Sequence, residues 1–229
     1  MLSLLLLPGL SSTPELWDSV CASLPVGIVT LPLENAALED IDAIAAEILA
    51  AAPPRFALAG FSFGGYVALA MAARAGDRIE RLALIATGAN ADSPEAAASR
   101  KRLIEIAQAD YASIDGRMTK FLLHPDRVDD AAIHEKRQRM SRDYGASRFI
   151  AQQRAAMARP ARTAVLASIR VPTLIAVGRE DRVTPLAQHE EMARRIPAAD
   201  LVVFERCGHL VPLEAPVELA GALTKWMTQ

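Results

Sequence analysis

The sequence predicts an α/β fold: a mostly parallel sheet of about six strands, flanked by helices and interrupted by an inserted helical lid. Three observations predict it. Short apolar runs recur without polar alternation, the pattern of strands buried on both faces of a parallel sheet. Helical stretches separate these runs. Between about Asp92 and Pro160 no strand-like run occurs, and apolar residues alternate with many Arg and Lys.

The first run opens the chain as "MLSLLLLPGL" and could be read as an export signal or as a strand, Leu2–Leu7. A secretory signal needs a basic start and an apolar stretch of roughly 7–15 residues. Here only Leu4 to Leu7 are uninterrupted, Pro8-Gly9 ends the run, and no Lys or Arg precedes Arg55. A buried strand is therefore expected. The other strands are expected at Gly27–Leu31, Arg55–Gly60, Leu82–Ala86, Thr173–Gly178 and Leu201–Glu205.

Helices are read from apolar spacing. From Glu39 to Ala52, the residues Ile41, Ile44, Ala45, Ile48 and Leu49 fall on one face, and Pro53-Pro54 stops the helix. A second runs from Phe63 to Arg74 and ends at Gly76. The last, Val217 to Met227, follows Pro216 and places Leu219, Leu223 and Trp226 on its core face. Residues 93–160 form the inserted lid, and 1–92 with 161–229 form the core. Charge separates the two regions: residues 99–162 hold 14 Lys and Arg against 8 Asp and Glu, the remainder 11 against 19.

Composition narrows the class. A chain of 229 residues, 52% hydrophobic and 23% charged, can bury one good-sized core. A net charge of −2 gives no reason to expect nucleic acid, and no apolar run approaches the roughly 18 residues of a membrane span. The two cysteines, Cys21 and Cys207, make neither a CxxC pair nor a disulfide framework, which fits a cytoplasmic location.

The chemistry is concentrated in "RFALAGFSFGGYVALAMAAR". A strand runs into Gly60-Phe61-Ser62-Phe63-Gly64 and straight on into a helix, the context that a G-x-S-x-G nucleophile elbow requires. A serine on so tight a turn has a strained backbone, and side chains two positions either side would collide with it. Gly60 and Gly64 remove those collisions. The Ser62 hydroxyl is pushed clear of the sheet, and the helix beginning at Phe63 aims free N–H groups at developing negative charge.

A serine needs a base, and the base an orienting acid. Of the four histidines, His124 ("LLHPD") and His134 ("AIHEKR") lie among lid charges, and His189 ("PLAQHEEMARRI") lies on what reads as an exposed helix face. All three read as solvated. His209, in "LVVFERCGHLVPLEAP", instead follows the last strand, at the end where parallel-sheet enzymes build their sites. In "PTLIAVGREDRVTP", Asp181 is the chosen acid, 28 residues before His209, with Glu180 as the reserve. The order Ser62, Asp181, His209 supports the set.

With these motifs, the whole chain resembles the α/β-hydrolase superfamily, in particular its lidded branch of enol-lactonases, carbon–carbon bond hydrolases and small esterases. The resemblance implies an oxyanion hole formed by the backbone N–H groups of Phe63 and of Leu10, in the loop after Leu2–Leu7. The apolar start is then active-site scaffold. Gly9 is part of a Pro8-Gly9 pair where many relatives have His-Gly. Gly9, Trp17 and Leu210 are assigned to the substrate pocket, with plain core packing the competing reading for Trp17. Relatives usually carry two further strands ahead of the first one here, so Gly27–Leu31 is expected at the sheet edge, where it could pair in a homodimer.

The resemblance implies hydrolysis of a small carboxylic ester or lactone through an acyl-serine, with no metal or cofactor. Ser62 argues against the dehalogenase and epoxide-hydrolase branches, which use Asp there. Leu210 stands where several carbon–carbon hydrolases carry Trp, which ranks that activity second. A non-catalytic ligand-binding member of the superfamily is the third reading.

Overall fold

The computed structural model describes residues 2–229, with every side chain among them except that of Arg117. Six strands form one wholly parallel sheet: β1 (Ser3–Leu7), β2 (Val29–Pro32), β3 (Phe56–Phe61), β4 (Ile79–Ile85), β5 (Thr173–Gly178) and β6 (Ala199–Phe204), in the order β2-β1-β3-β4-β5-β6. Among the described residues the helices are α1 (Asp18–Ser23), α2 (Ile41–Ala51), α3 (Phe63–Ala75), α4 (Pro94–Asp110), α5 (Ala112–Leu122), α6 (Ala131–Tyr144), α7 (Ala146–Ala158), α8 (Thr163–Leu166), α9 (Leu186–Arg195), α10 (Val211–Glu214) and α11 (Pro216–Thr228). None is long and apolar enough to cross a membrane.

Successive residues of the central strands divide between two core layers. Leu4, Leu6, Ala57, Ala59, Ala83, Ile85, Leu174 and Ala176 face a layer that includes Trp17, Val20, Leu219, Leu223 and Trp226. Leu5, Leu7, Leu58, Leu82, Leu84 and Ile175 face the opposite layer, built on α2, α3 and α9. Because both faces are covered, β1, β3 and β5 are buried almost throughout. Each fully buried leucine or isoleucine contributes on the order of 1.5–3 kcal/mol.

Strand β2 is the sheet edge, as expected, but it is not buried on both faces, since Val29 and Leu31 are exposed. Strand β4 starts at Ile79, ahead of the expected Leu82, because Glu80 and Arg81 conceal the start of the apolar run. The Arg81 guanidinium is taken up by the Trp226 carbonyl at 2.8 Å, and β4 bulges at Glu80, since Phe56 pairs with Ile79 and the next β3 residue, Ala57, with Arg81. Helix α2 begins later than expected because the Asp40 carboxylate caps it, accepting from Asp42 N at 2.6 Å and Ala43 N at 3.1 Å. At its other end Arg78 donates to the carbonyls of Leu49, Ala52, Pro53 and Pro54.

Helices α4–α7 make up the insertion between β4 and β5, α4 packing on α7 and α5 on α6 around Ala107, Ile114, Tyr144 and Phe149. The opposite charge balances of insertion and core meet in ion pairs. Arg139 pairs with Glu15, Arg148 with Glu34 and Arg154 with Glu39. Asp92, where the chain enters the insertion, accepts from Arg100 at 2.7 Å and from Arg159 at 2.6 Å with its side chain almost fully buried. Part of the insertion's positive charge is thus used in holding it to the core.

Candidate active site

Strand β3 passes into α3 through Ser62 alone, whose backbone sits at φ 51°, ψ −113°. This left-handed conformation costs a non-glycine residue about 1–3 kcal/mol and persists only where the surroundings enforce it. Here the enforcing contacts all fall on the main chain of Ser62. Ser62 N donates to the Ile85 carbonyl at 2.9 Å, while its own carbonyl accepts from Gly65 N at 2.9 Å and from Thr87 Oγ1 at 2.8 Å. A Cβ on Gly60 would lie 2.4 Å from the Gly64 carbonyl oxygen, and one on Gly64 would lie 2.4 Å from the Leu7 carbonyl oxygen. Only glycine fits at either position.

The turn presents Ser62 Oγ to His209 Nε2 at 2.9 Å, and His209 Nδ1 lies 2.8 Å from Asp181 Oδ2. Three residues far apart in sequence are thereby joined in one hydrogen-bonded line. Asp181 follows β5 in a turn in which its Oδ1 accepts from Val183 N and Thr184 N, and its Oδ2 from Thr184 Oγ1. Burial pushes the Asp181 carboxyl upward, but the adjacent His209 and the Thr184 donors outweigh it and hold the group below the usual carboxylate range. Glu180, the reserve acid, instead accepts from Cys207 N at 3.1 Å.

His209 is held by a residue that the sequence reading passes over. The buried carboxylate of Glu214 accepts from Gly208 N and Leu210 N, the amides on either side of His209, and from His124 N at the end of α5. His209 N itself donates to the Leu122 carbonyl at 2.7 Å. The histidine loop is therefore tied to the insertion as well as to the core. Burial raises the Glu214 pKa despite its three amide donors.

Loop residues 8–12 lie beside the serine turn. A Cβ at Gly9 would come within 2.9 Å of the Phe61 ring and 3.2 Å of Ser62 Cβ, and the same Phe61 ring lies 5.3 Å from the His209 ring. Glycine at this position lets the loop close over the serine. Neither Leu10 N nor Phe63 N donates to a protein acceptor among the described residues. Trp17 and Leu210 are both buried in the core layer that contains Phe61, Leu122 and Leu123.

The other histidines correct the sequence reading. His189 is fully buried, not exposed: its Nε2 accepts from Thr87 N at 3.1 Å and its Nδ1 faces the Pro185 carbonyl at 3.3 Å. It braces the acid turn against Thr87, which holds Ser62. A signal for this exists in the sequence, since His189, Met192 and Ile196 share one helical face and the latter two are also buried. His124 is buried too, its Nδ1 accepting from Asp126 N, whereas His134 Nε2 lies 2.7 Å from the Val128 carbonyl. A groove of about 220 Å³ lined by Asn90, Thr163, Gln188 and Arg195 contains none of Ser62, Asp181 and His209.

Known proteins resemble this chain in sequence and in fold. Residues 4–222 match the family model described as the alpha/beta hydrolase family. A pimeloyl-[acyl-carrier protein] methyl ester esterase from Neisseria meningitidis is 32% identical over 225 residues, covering 91% of this chain and 84% of that one. Its counterpart from Nitrosomonas europaea is 26% identical over 245 residues, covering 95% and 92%. Among solved structures, a thermophilic esterase from Thermogutta terrifontis superposes with a TM-score of 0.89 at 27% identity, over 100% of this chain and 90% of that one. An enol-lactonase from Burkholderia xenovorans, 20% identical with a TM-score of 0.88 over 100% and 92%, shares the fold.

Proposed function

The chain belongs to the alpha/beta hydrolase family, and from that premise we propose that it is a serine hydrolase cleaving a small carboxylic ester or lactone through an acyl-serine intermediate. The observation that carries this reading is the line Ser62 Oγ, His209 Nε2 at 2.9 Å, His209 Nδ1 and Asp181 Oδ2 at 2.8 Å. His209 takes the Ser62 proton as Oγ attacks the ester carbonyl carbon, then gives that proton to the departing alkoxide. Asp181 keeps the other ring proton on Nδ1 and stabilises the imidazolium. The carbonyl oxygen, now negative, is held by Phe63 N–H at the start of α3 and by Leu10 N–H. Water, deprotonated by His209, then attacks the acyl group and releases the acid.

Residues 93–160 act as a lid over this centre, with Gly9, Trp17 and Leu210 along the pocket on the core side. The names of the curated relatives point to a methyl ester at the end of a longer acyl chain, and dimethyl pimelate against methyl butyrate is the direct comparison. The lid's charge is not a sign of an anionic substrate, because several of its arginines, among them Arg139, Arg148 and Arg154, pair with core acids. A carboxylate-bearing ester is accordingly cleaved no faster at low salt than its neutral analogue. The exposed edge of β2 is the surface through which a homodimer would form; a monomer by light scattering at high concentration removes that part of the proposal.

The decisive experiment is intact-mass labelling with a fluorophosphonate alongside hydrolysis of p-nitrophenyl acetate and butyrate. One adduct and ester turnover, both abolished in Ser62→Ala, are expected. A wild-type protein that neither labels nor turns over esters refutes the reading in favour of a ligand-binding role.

A further inference from the structure

Helix α6 carries Ile133, Arg137, Met140 and Tyr144 along one buried stripe, and Arg137 is the charged member of it. Its side chain is 2% exposed. Such a placement is costly unless the guanidinium is well paired, and the pairing with acid is poor. Nη2 reaches Asp115 Oδ1 only at 3.4 Å, and both Asp115 Oδ2 and Arg137 Nε lack a partner among the described residues. The short bonds go elsewhere: Nη1 donates to the Ser11 carbonyl at 2.8 Å and to Ser12 Oγ at 2.9 Å.

Ser11 is one of the few non-glycine residues with a left-handed backbone, at φ 52°. It follows Leu10 directly, and Ser12 Oγ, which accepts from Arg137, donates to the Leu10 carbonyl at 3.3 Å, so the grip on Ser11 and Ser12 reaches the Leu10 backbone. The near end of the same loop is held from the core, where Asn35 Nδ2 donates to the Pro8 carbonyl at 2.8 Å. Its far end is held from the insertion, by Arg137 and by Tyr111, whose hydroxyl lies 3.4 Å from Ser11 Oγ.

We propose that Arg137 is a positioning residue for the oxyanion hole: gripping Ser11 and Ser12 from α6, it fixes the orientation of Leu10 N–H, so the hole is complete only when the inserted helices are seated on the core. The inference rests on the serine-hydrolase reading above. It adds a role for the insertion in the chemical step, separate from covering the substrate.

The test uses the full-length protein with active sites titrated by fluorophosphonate, so that all rates are per labelled serine. In Arg137→Met combined with Asp115→Asn, no buried charge is left unpaired. The expected result is a kcat lower by about 30- to 100-fold with KM within threefold of wild type. Affinity for a trifluoromethyl ketone, which forms the oxyanion, falls by the same factor as kcat/KM. Arg137→Lys keeps the charge but cannot span Ser11 and Ser12, and loses about tenfold in kcat. In Arg137→Ala, added guanidinium restores part of kcat. If the folded double variant or the lysine variant keeps wild-type kcat per labelled site, or loses only KM, the proposal is overturned. If the double variant does not fold, the lysine variant decides by the same criterion. A wild-type protein without turnover is a different result and removes the serine-hydrolase reading instead.

Discussion

The Thr184 hydroxyl donates to Asp181 Oδ2 at 2.7 Å, on the same oxygen that faces His209 Nδ1. Thr184 thereby fixes which oxygen of Asp181 meets His209, and adds to the interactions that hold the Asp181 pKa below the usual carboxylate range. Thr184→Val removes the donor while keeping the volume. About a tenfold loss in kcat/KM is expected, equivalent to ~1.4 kcal/mol for one charge-assisted bond. Asp181→Asn, which presents an N–H group or a neutral oxygen to the ring, loses about 10⁴-fold in kcat. Steady-state ester hydrolysis measures both, and a valine variant at wild-type rate shows that the two backbone donors suffice.

Glu214 makes a sharper case, because three amides converge on its carboxylate. Glu214→Gln has one acceptor oxygen and sets an NH2 group among N–H donors, so at least one buried amide is left unpaired. Stability is expected to fall by about 1–3 kcal/mol in urea unfolding. Because Gly208 and Leu210 flank His209, kcat falls roughly tenfold or more, even in the folded fraction. Unfolding at lower urea with unchanged kcat confines Glu214 to stability alone.

The parts of this site that are legible in the sequence are those set by local geometry. Gly60 and Gly64 announce the Ser62 turn because their spacing reports a clash within five residues of chain, and the strands nearest the site, β3 and β5, lie within a residue or less of their expected bounds. The choice between Asp181 and Glu180 is open in the sequence, since it depends on which carboxylate points at a residue 28 positions away. Glu214 and Arg137 are hidden for another reason: polar residues bound to backbone groups of distant loops look like ordinary surface charge. A charge within an apolar helical stripe, as at Arg137, is the one signal that marks it.

The same glycine-to-alanine substitution is expected to have opposite outcomes at Gly64 and Gly221. Gly64→Ala drives a Cβ to 2.4 Å from the Leu7 carbonyl oxygen, backbone against backbone, so the turn must move. About 3 kcal/mol of stability and nearly all ester turnover are expected to be lost. Gly221 in α11 is exposed, with nothing within 4 Å of where an added methyl group would lie. Gly221→Ala there stabilises by about 0.5–1 kcal/mol through helix propensity. Thermal melts of the pair distinguish a glycine required by close approach from one that is merely tolerated.

The buried His189 gives stability a pH dependence of known sign. Its Nε2 accepts from Thr87 N, so the neutral ring carries its proton on Nδ1, toward the Pro185 carbonyl. Burial lowers its pKa from 6.5 to about 4, against weaker opposing pulls from the Pro185 carbonyl and Asp181. Between these values the unfolded chain binds the proton and the folded one does not. The stabilising contribution is therefore fully present above pH 6.5 and is lost as pH falls toward 4, by about 3 kcal/mol in all. Protonation also sets an N–H against Thr87 N and loosens the brace between the acid turn and Ser62. In His189→Gln the side-chain oxygen still accepts from Thr87 N but does not titrate. Urea unfolding from about pH 7 to 4 should show wild-type stability falling more steeply than the variant's by that amount, whereas parallel curves show that this ring does not titrate with folding.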